Sequence, residues 1–187
     1  MKLTREQLEF EIHCKKVIGL SITKVEYSEL NYKPTNPQPY YSTRFPNLDS
    51  IDFAIHFKTT TGELIEIYWD DKFFSFGIGI KINENSDFSN FAKWDVSKDS
   101  IWKKFIGTKI IDIKIHWETV TTKKIESNKT EVISYPQYTK ITFSNKKSIF
   151  VSAAGFLNKD DLEVYEMLDN LTVTDDENLA RQTKMIP

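Results

Sequence analysis

Residues 93–117 combine a capped segment, a glycine and a strand pattern, and this order constrains the fold more than any other stretch. Asp95 and Ser97 are short polar residues of the kind that cap the start of a helix. Gly107 is typical of the left-handed residue that ends one. After Gly107 the hydrophobic period becomes two, and apolar residues alternate with polar ones up to Trp117. The stretch therefore predicts a short helix that leads through a glycine into a half-buried strand.

The beginning of the chain shows a similar order. Thr4 and Gln7 have the spacing of a capping box, which predicts a helix to about residue 16. Alternation of apolar residues between residues 8 and 14 also fits a strand, so that alternative stays open. The pair Ile18-Gly19 then precedes a strand pattern over residues 20–27, as Ile106-Gly107 does later.

Further segments of period two predict antiparallel hairpins over residues 51–70 and 141–153 and a strand over residues 74–82. Thr174 and Glu177 have capping-box spacing and predict a tail helix to about residue 185. We therefore expect an α+β fold, with antiparallel sheets and a few short helices, in a single domain of residues 1–187. The matching Ile-Gly junctions also suggest a duplicated αβββ unit, with halves 1–92 and 93–187; chance similarity is the alternative.

The composition disfavours several partners. A net charge of −2 and a pI near 6.0 argue against nucleic-acid binding, which needs clustered Lys and Arg. The single cysteine, Cys14, excludes an internal disulfide. No apolar run is long enough to cross a bilayer, and no signal-peptide pattern is evident. These observations predict a cytoplasmic protein without membrane contact.

The sequence contains no phosphate-binding loop, dinucleotide fingerprint, HExxH or GxSxG motif. It therefore predicts no enzymatic activity and no cofactor. Two of the three histidines, His56 and His116, fall on the polar faces of predicted strands, where neighbouring strands would bring them together. A metal site needs about three protein ligands, so histidines satisfied at the surface are the favoured interpretation and no metal is expected.

Carboxylates surround the second strand of the first hairpin. Glu66, Asp70 and Asp71 alternate with apolar residues, which favours a solvated sheet face. If this face meets a partner, the three carboxylates form an acidic strip that suits a basic protein.

Residues 31–49, here called the aromatic loop, contain four prolines and so cannot form a helix or a central strand. Aromatic residues and arginine carry most of the energy of many protein interfaces. The favoured alternative is that the rings fold back over a sheet edge or a small second core. The candidate partner-binding residues of the loop are Tyr32, Tyr40, Tyr41, Arg44 and Phe45.

The two Ile-Gly junctions, together with residues 94–97 and Trp102, make the chain resemble small bacterial proteins that are encoded near secreted toxins. The resemblance covers about residues 17–154 and concerns structural junctions, so it assigns no binding residue. It implies an immunity protein, which binds a cognate protein toxin and blocks its active site.

Three functional hypotheses follow. The first is a cytoplasmic immunity-type protein that acts through the aromatic loop and the acidic strip. The second is a small-ligand-binding or enzymatic domain with a pocket over Gly77 and Gly79, since two glycines on one strand face leave room for close approach. The third is a structural subunit that forms a homodimer.

Overall fold

The computed structural model of the chain describes residues 3–31, 33–84, 90–123, 130–158 and 160–187. Within these ranges the fold is α+β, as predicted, with two antiparallel five-stranded sheets and two short α-helices. The helices are α1 (Arg5–Cys14), followed by a 3-10 turn (Lys15–Val17), and α2 (Glu177–Gln182). The strands are β1 (Ile22–Leu30), β2 (Leu48–Ile51), β3 (Phe53–Thr59), β4 (Leu64–Asp70), β5 (Gly77–Ile82), β6 (Phe91–Asp95), β7 (Ile110–Lys123), β8 (Thr130–Phe143), β9 (Ser148–Gly155) and β10 (Tyr165–Thr174).

Each sheet is built mainly from one half of the chain. The first sheet has the strand order β5-β4-β3-β1-β6, and the second has the order β2-β10-β9-β8-β7. Strand β2 belongs to the first half of the chain but pairs in the second sheet. The strand predicted to begin at Ile51 is therefore divided, because Ile51 ends β2 in the second sheet and Phe53 begins β3 in the first. This crossing places the aromatic loop, which precedes β2, beside both sheets.

The core lies between the apolar faces of the two sheets. Ile78 and Ile113, from opposite sheets, are both within 3% of complete burial, while Ile115 and Phe74 are partly buried. Each fully buried side chain of this size contributes about 1.5–3 kcal/mol to folding. A second cluster, formed by α2 and the outer face of β9, includes Phe150, Ala154 and Ala180.

The helix predicted after Asp95 is wrong. The chain there forms successive turns, in which the N–H groups of Trp102 and Phe105 donate to carbonyls three residues earlier. Ser97 bonds the backbone of Val25 with its hydroxyl and caps no helix. Because a short helix is costly to nucleate, burial of adjacent apolar side chains determines the conformation here. Gly107 has a φ of +78°, which fits the predicted left-handed position.

The two Ile-Gly junctions lie side by side and bond each other. The Gly19 N–H donates to the Ile110 carbonyl at 2.8 Å, and the Gly107 N–H donates to the Ile22 carbonyl at 2.8 Å. Positions 19 and 107, like positions 22 and 110, are 88 residues apart, so the two bonds are counterparts. The duplication stays a prediction, and the two halves differ because turns replace the helix in the second.

Other boundaries differ from the predicted ones. The capping box of Thr4 is confirmed and α1 is helical, which excludes the strand alternative. Strand β7 extends past Trp117 to Lys123, and β8 begins at Thr130, well before the hairpin predicted from residue 141; residues 124–129 lie outside the described residues. Helix α2 is capped by Asp176 and not by Thr174.

Candidate partner-binding site

A cleft of about 430 Å³ separates the aromatic loop from the turn that follows β9. One wall carries Tyr40 and Arg44, and the other carries Phe156 and Leu157. The floor and rim add two amides, Asn158 and Asn170, and the hydroxyls of Ser42, Thr43 and Ser50. A concave surface with apolar walls and a few polar groups can hold a ligand or the side chain of a partner.

Backbone bonds fix the loop wall. The Tyr40 N–H donates to Glu29 Oε2 at 3.0 Å, and the Ser50 N–H donates to the Tyr41 carbonyl at 2.8 Å. The Thr43 hydroxyl donates to the Leu48 carbonyl at 2.6 Å. The loop is therefore tied to β1 and β2, so its side chains project from a supported backbone.

Arg44 connects the two walls. Its Nη1 donates to the Asp160 carbonyl at 2.6 Å, and its guanidinium carbon lies 5.8 Å from the centroid of the Phe45 ring. Phe45 in turn lies 6.2 Å from Phe156 between ring centroids. These contacts hold the guanidinium at the cleft while leaving the side chain exposed.

The predicted loop residues have different surroundings. Tyr40 is 42% exposed at the cleft, whereas Tyr41 is partly buried with its ring 4.9 Å from that of Tyr27. Phe45 is also partly buried. Tyr32 lies outside the described residues. The expectation that rings fold back is thus met by Tyr41 and Phe45, while Tyr40 and Arg44 stay accessible.

Two carboxyl groups lie beneath the loop in apolar surroundings. Burial raises the pKa of Glu29 to about 7 and that of Asp49 to about 6. The Tyr27 hydroxyl donates to Asp49 Oδ2 at 3.0 Å, but Glu29 Oε1 has no hydrogen-bond partner among the described residues. Neutral pH therefore places the charge of Glu29 where the protein solvates it poorly.

Glu66 is not part of an exposed acidic strip, contrary to the prediction. This residue is only 1% exposed, because the polar face of the first sheet is itself covered at this position. Lys81 Nζ lies 3.6 Å from Glu66 Oε1. Asp70 is partly buried and lines a smaller depression beside α1, and Asp71 is exposed. Glu66 cannot meet a partner at this surface, and Asp70 and Asp71 are outside the cleft lining.

The prediction of a pocket over Gly77 and Gly79 is wrong, because the space over both glycines is occupied. A Cβ atom at Gly79 would lie 2.5 Å from the Tyr68 ring, and one at Gly77 would lie 3.1 Å from the Pro136 ring. The glycines therefore admit neighbouring side chains, and these fill the space that a ligand would need.

Ser28, His56 and Glu66 form a buried polar row across β1, β3 and β4. Ser28 Oγ lies 2.8 Å from His56 Nε2, and His56 Nδ1 lies 3.8 Å from Glu66 Oε2. The atoms resemble those of a hydrolase triad, but none of the three side chains is more than 3% exposed. Burial lowers the pKa of His56 to about 4, and Lys93 adds to the effect. The arrangement is a buried polar network in which the imidazole of His56 is neutral at physiological pH.

The histidines are not brought together. His56 belongs to the first sheet, and His116 belongs to the second, where its ring stacks on Tyr138 at 4.6 Å. The described residues contain no group of three or more His, Cys, Asp or Glu side chains arranged to hold a metal ion. Cys14 is fully buried, and burial raises the pKa of its thiol to about 12.

Sequence reasoning missed the second wall of the cleft. Leu157, which lines the cleft, is 60% exposed. Leu162 and Tyr165, which are outside the cleft lining, are 62% and 49% exposed in the same connection from β9 to β10 or at its end. A group of exposed apolar side chains in one connection is a sign of an interaction site. The only signal in the sequence is that apolar residues continue past Gly155, where the period-two pattern ends.

Comparison of the chain with protein-family models, curated proteins and solved structures found no match. Within the described ranges, neither α-helix has the length and apolar character that a membrane span requires. The functional proposal therefore depends on the residues of this chain.

Proposed function

We propose that the chain is a protein-binding module that holds its partner at the cleft, and that it acts as an immunity protein in the cytoplasm by occluding a bacterial toxin. The observation that carries the proposal is the exposure of Tyr40, Arg44 and Leu157 around one concave surface. Tyrosine and arginine are the residue types that most often dominate binding energy, and they do so where a pocket desolvates them.

The support beneath the loop favours binding over a purely structural role. Ordering a mobile side chain at an interface costs about 0.5–1.5 kcal/mol. The Tyr40 N–H donates to Glu29, and the Arg44 guanidinium donates to the Asp160 carbonyl, so the Tyr40 backbone and the Arg44 side chain are restricted before a partner arrives. A surface prepared in this way binds with a smaller loss of entropy. Asp70 and Asp71 stay predicted contacts at a second place on the surface.

The test is binding of the protein encoded by the neighbouring gene, measured by isothermal titration calorimetry. The variant Tyr40→Ala/Arg44→Ala/Leu157→Ser should lose at least about 30-fold in affinity, since a single hot-spot residue among the three is worth about 2 kcal/mol or more. Ile12→Ser is the matched control, because Ile12 is 63% exposed on α1. The melting temperature of both variants should stay near that of the wild type.

A measurement of the partner's enzymatic activity distinguishes occlusion from other modes of binding. If the partner is a toxin enzyme, a concentration of the wild-type chain just sufficient to saturate it should abolish its activity. The triple variant, added at the same concentration in place of the wild type, should leave most of the activity intact. Equal binding by the triple variant and the wild type would contradict the site. Absence of any complex with the neighbouring gene's product would contradict the immunity assignment.

A further inference from the structure

The cleft has an unbalanced charge. Of the described residues that line it, Arg44 alone carries a charge, and the others are aromatic, aliphatic, amide or hydroxyl side chains. No described carboxylate forms an ion pair with Arg44, because its bonded partner is the neutral backbone carbonyl of Asp160. The positive charge of the cleft is therefore not neutralised within the described structure.

Asp160 contacts Arg44 through its backbone carbonyl, and no ion pair between their side chains is found among the described residues. Three other carboxyl groups, on the loop and on neighbouring elements, have other partners or are buried. Asp161 accepts the Asn158 N–H at 2.9 Å with one oxygen and faces the Asn158 amide at 3.5 Å with the other. Asp49 accepts the Tyr27 hydroxyl, and Glu29 is buried under the loop. None of these three carboxylates lines the cleft.

Arg44 has the donors needed to bind an acid. A guanidinium carries five N–H donors in a planar fork, and the Asp160 carbonyl uses Nη1. A carboxylate can accept two parallel bonds from the remaining donors, an arrangement stronger than a bond between neutral groups. The amide side chains of Asn158 and Asn170 lie on the same surface and provide further donors.

We propose that the cleft receives an aspartate or glutamate side chain of the protein partner, with Arg44 as its counter-ion and the walls of Tyr40 and Leu157 covering an adjoining apolar residue. This inference rests on the proposed function and reverses the partner charge that the acidic strip suggested. A nucleic-acid ligand is disfavoured, because one arginine among the residues that line the cleft, in a chain of net charge −2, gives little phosphate affinity.

The test uses two acetylated, amidated tripeptides as probes, Leu-Glu-Phe and its neutral counterpart Leu-Gln-Phe, followed by ¹H–¹⁵N NMR titration of the full chain. The Glu peptide should bind about 10-fold more tightly, since a charge-assisted bond is worth about 1.5–3 kcal/mol. The shifted signals should include the Arg44 Nε–H and the side-chain amides of Asn158 and Asn170.

Variants assign the preference to one residue. Arg44→Gln should bind both peptides equally, and Arg44→Lys should keep part of the preference. Arg5→Gln, which changes an exposed arginine of α1, is the matched control and should behave as the wild type does. Equal binding of the two peptides by the wild type, binding of neither, or a preference that survives Arg44→Gln would overturn the inference. These outcomes leave the proposed function to its own test, which uses the neighbouring gene's product.

Discussion

Replacing Glu29 by glutamine isolates the free-energy cost of a carboxylate held beneath the aromatic loop. The side chain is 1% exposed, and its pKa is raised from 4.5 to about 7 by burial, with Asp52 and Asp49 adding repulsion. The Tyr40 N–H and the Trp94 indole favour the ionised form, but their effect is smaller than that of burial. The difference between the two pKa values corresponds to about 3 kcal/mol, because one pKa unit is worth about 1.4 kcal/mol.

The sign follows from proton binding. Below pH 4.5 the carboxyl is protonated in both the folded and the unfolded chain, so no cost arises. Between pH 4.5 and 7 the unfolded chain releases its proton while the folded chain keeps it, and stability falls as the pH rises. Above about pH 7 the loss is complete. Asp49 acts in the same direction between pH 3.8 and about 6.

Urea unfolding at several pH values measures the effect. The free energy of unfolding of Glu29→Gln, minus that of the wild type, should increase by about 3 kcal/mol from pH 4.5 to pH 8. Most of the contribution of Asp49 cancels in this difference, because its repulsion of Glu29 is a small part of the shift. Glu6→Gln, an exposed change on α1, is the control for the loss of a surface carboxyl group. A difference for Glu29→Gln that does not vary with pH would refute the reasoning.

Three further predictions concern the scaffold and the loop. Gly107→Ala should lower the free energy of unfolding by about 1–2 kcal/mol, because a Cβ atom is disfavoured at positive φ and meets no other atom there; equal stability in urea unfolding would contradict this. Asp176→Ala should cost about 1 kcal/mol, since it removes the bonds to the first N–H groups of α2, and circular dichroism melts would show it. Tyr41→Ala should lower the melting temperature clearly more than Tyr40→Ala does, because Tyr41 packs on Tyr27; the reverse order would place the wrong ring in the core.

The strands followed from local patterns. Alternation in residues 111–117 predicted β7, and Ile113 is buried as that pattern requires. Ile111 was expected on the same face but is 47% exposed, because the register shifts between Ile110 and Asp112 and Ile110 is buried instead. The Thr4 capping box predicted α1, because its two bonds involve only residues close in sequence. Gly107 indicated a positive φ for the same reason. Local steric and hydrogen-bonding preferences act within a few residues and can therefore be recognised without the fold.

Other features depend on distant contacts. Glu66 has the alternation expected of a solvated strand face, yet it is buried. The pattern shows which side of the strand the residue is on, but it does not show what covers that side. Residues 97–106 form turns because this conformation buries both Trp102 and Phe105 in the core. The gap over Gly79 is filled by Tyr68 from a neighbouring strand.

The sequence by itself determined the α+β class, most strand positions and the composition of the aromatic loop. Only the tertiary structure decided which loop side chains stay accessible, since that depends on Glu29, Asp49 and Asp160, which are far apart along the chain or on other elements. The cleft itself exists because β2 crosses to the second sheet and brings the loop to Leu157. Such a meeting of distant segments is set by the packing of whole sheets, and no local pattern records it.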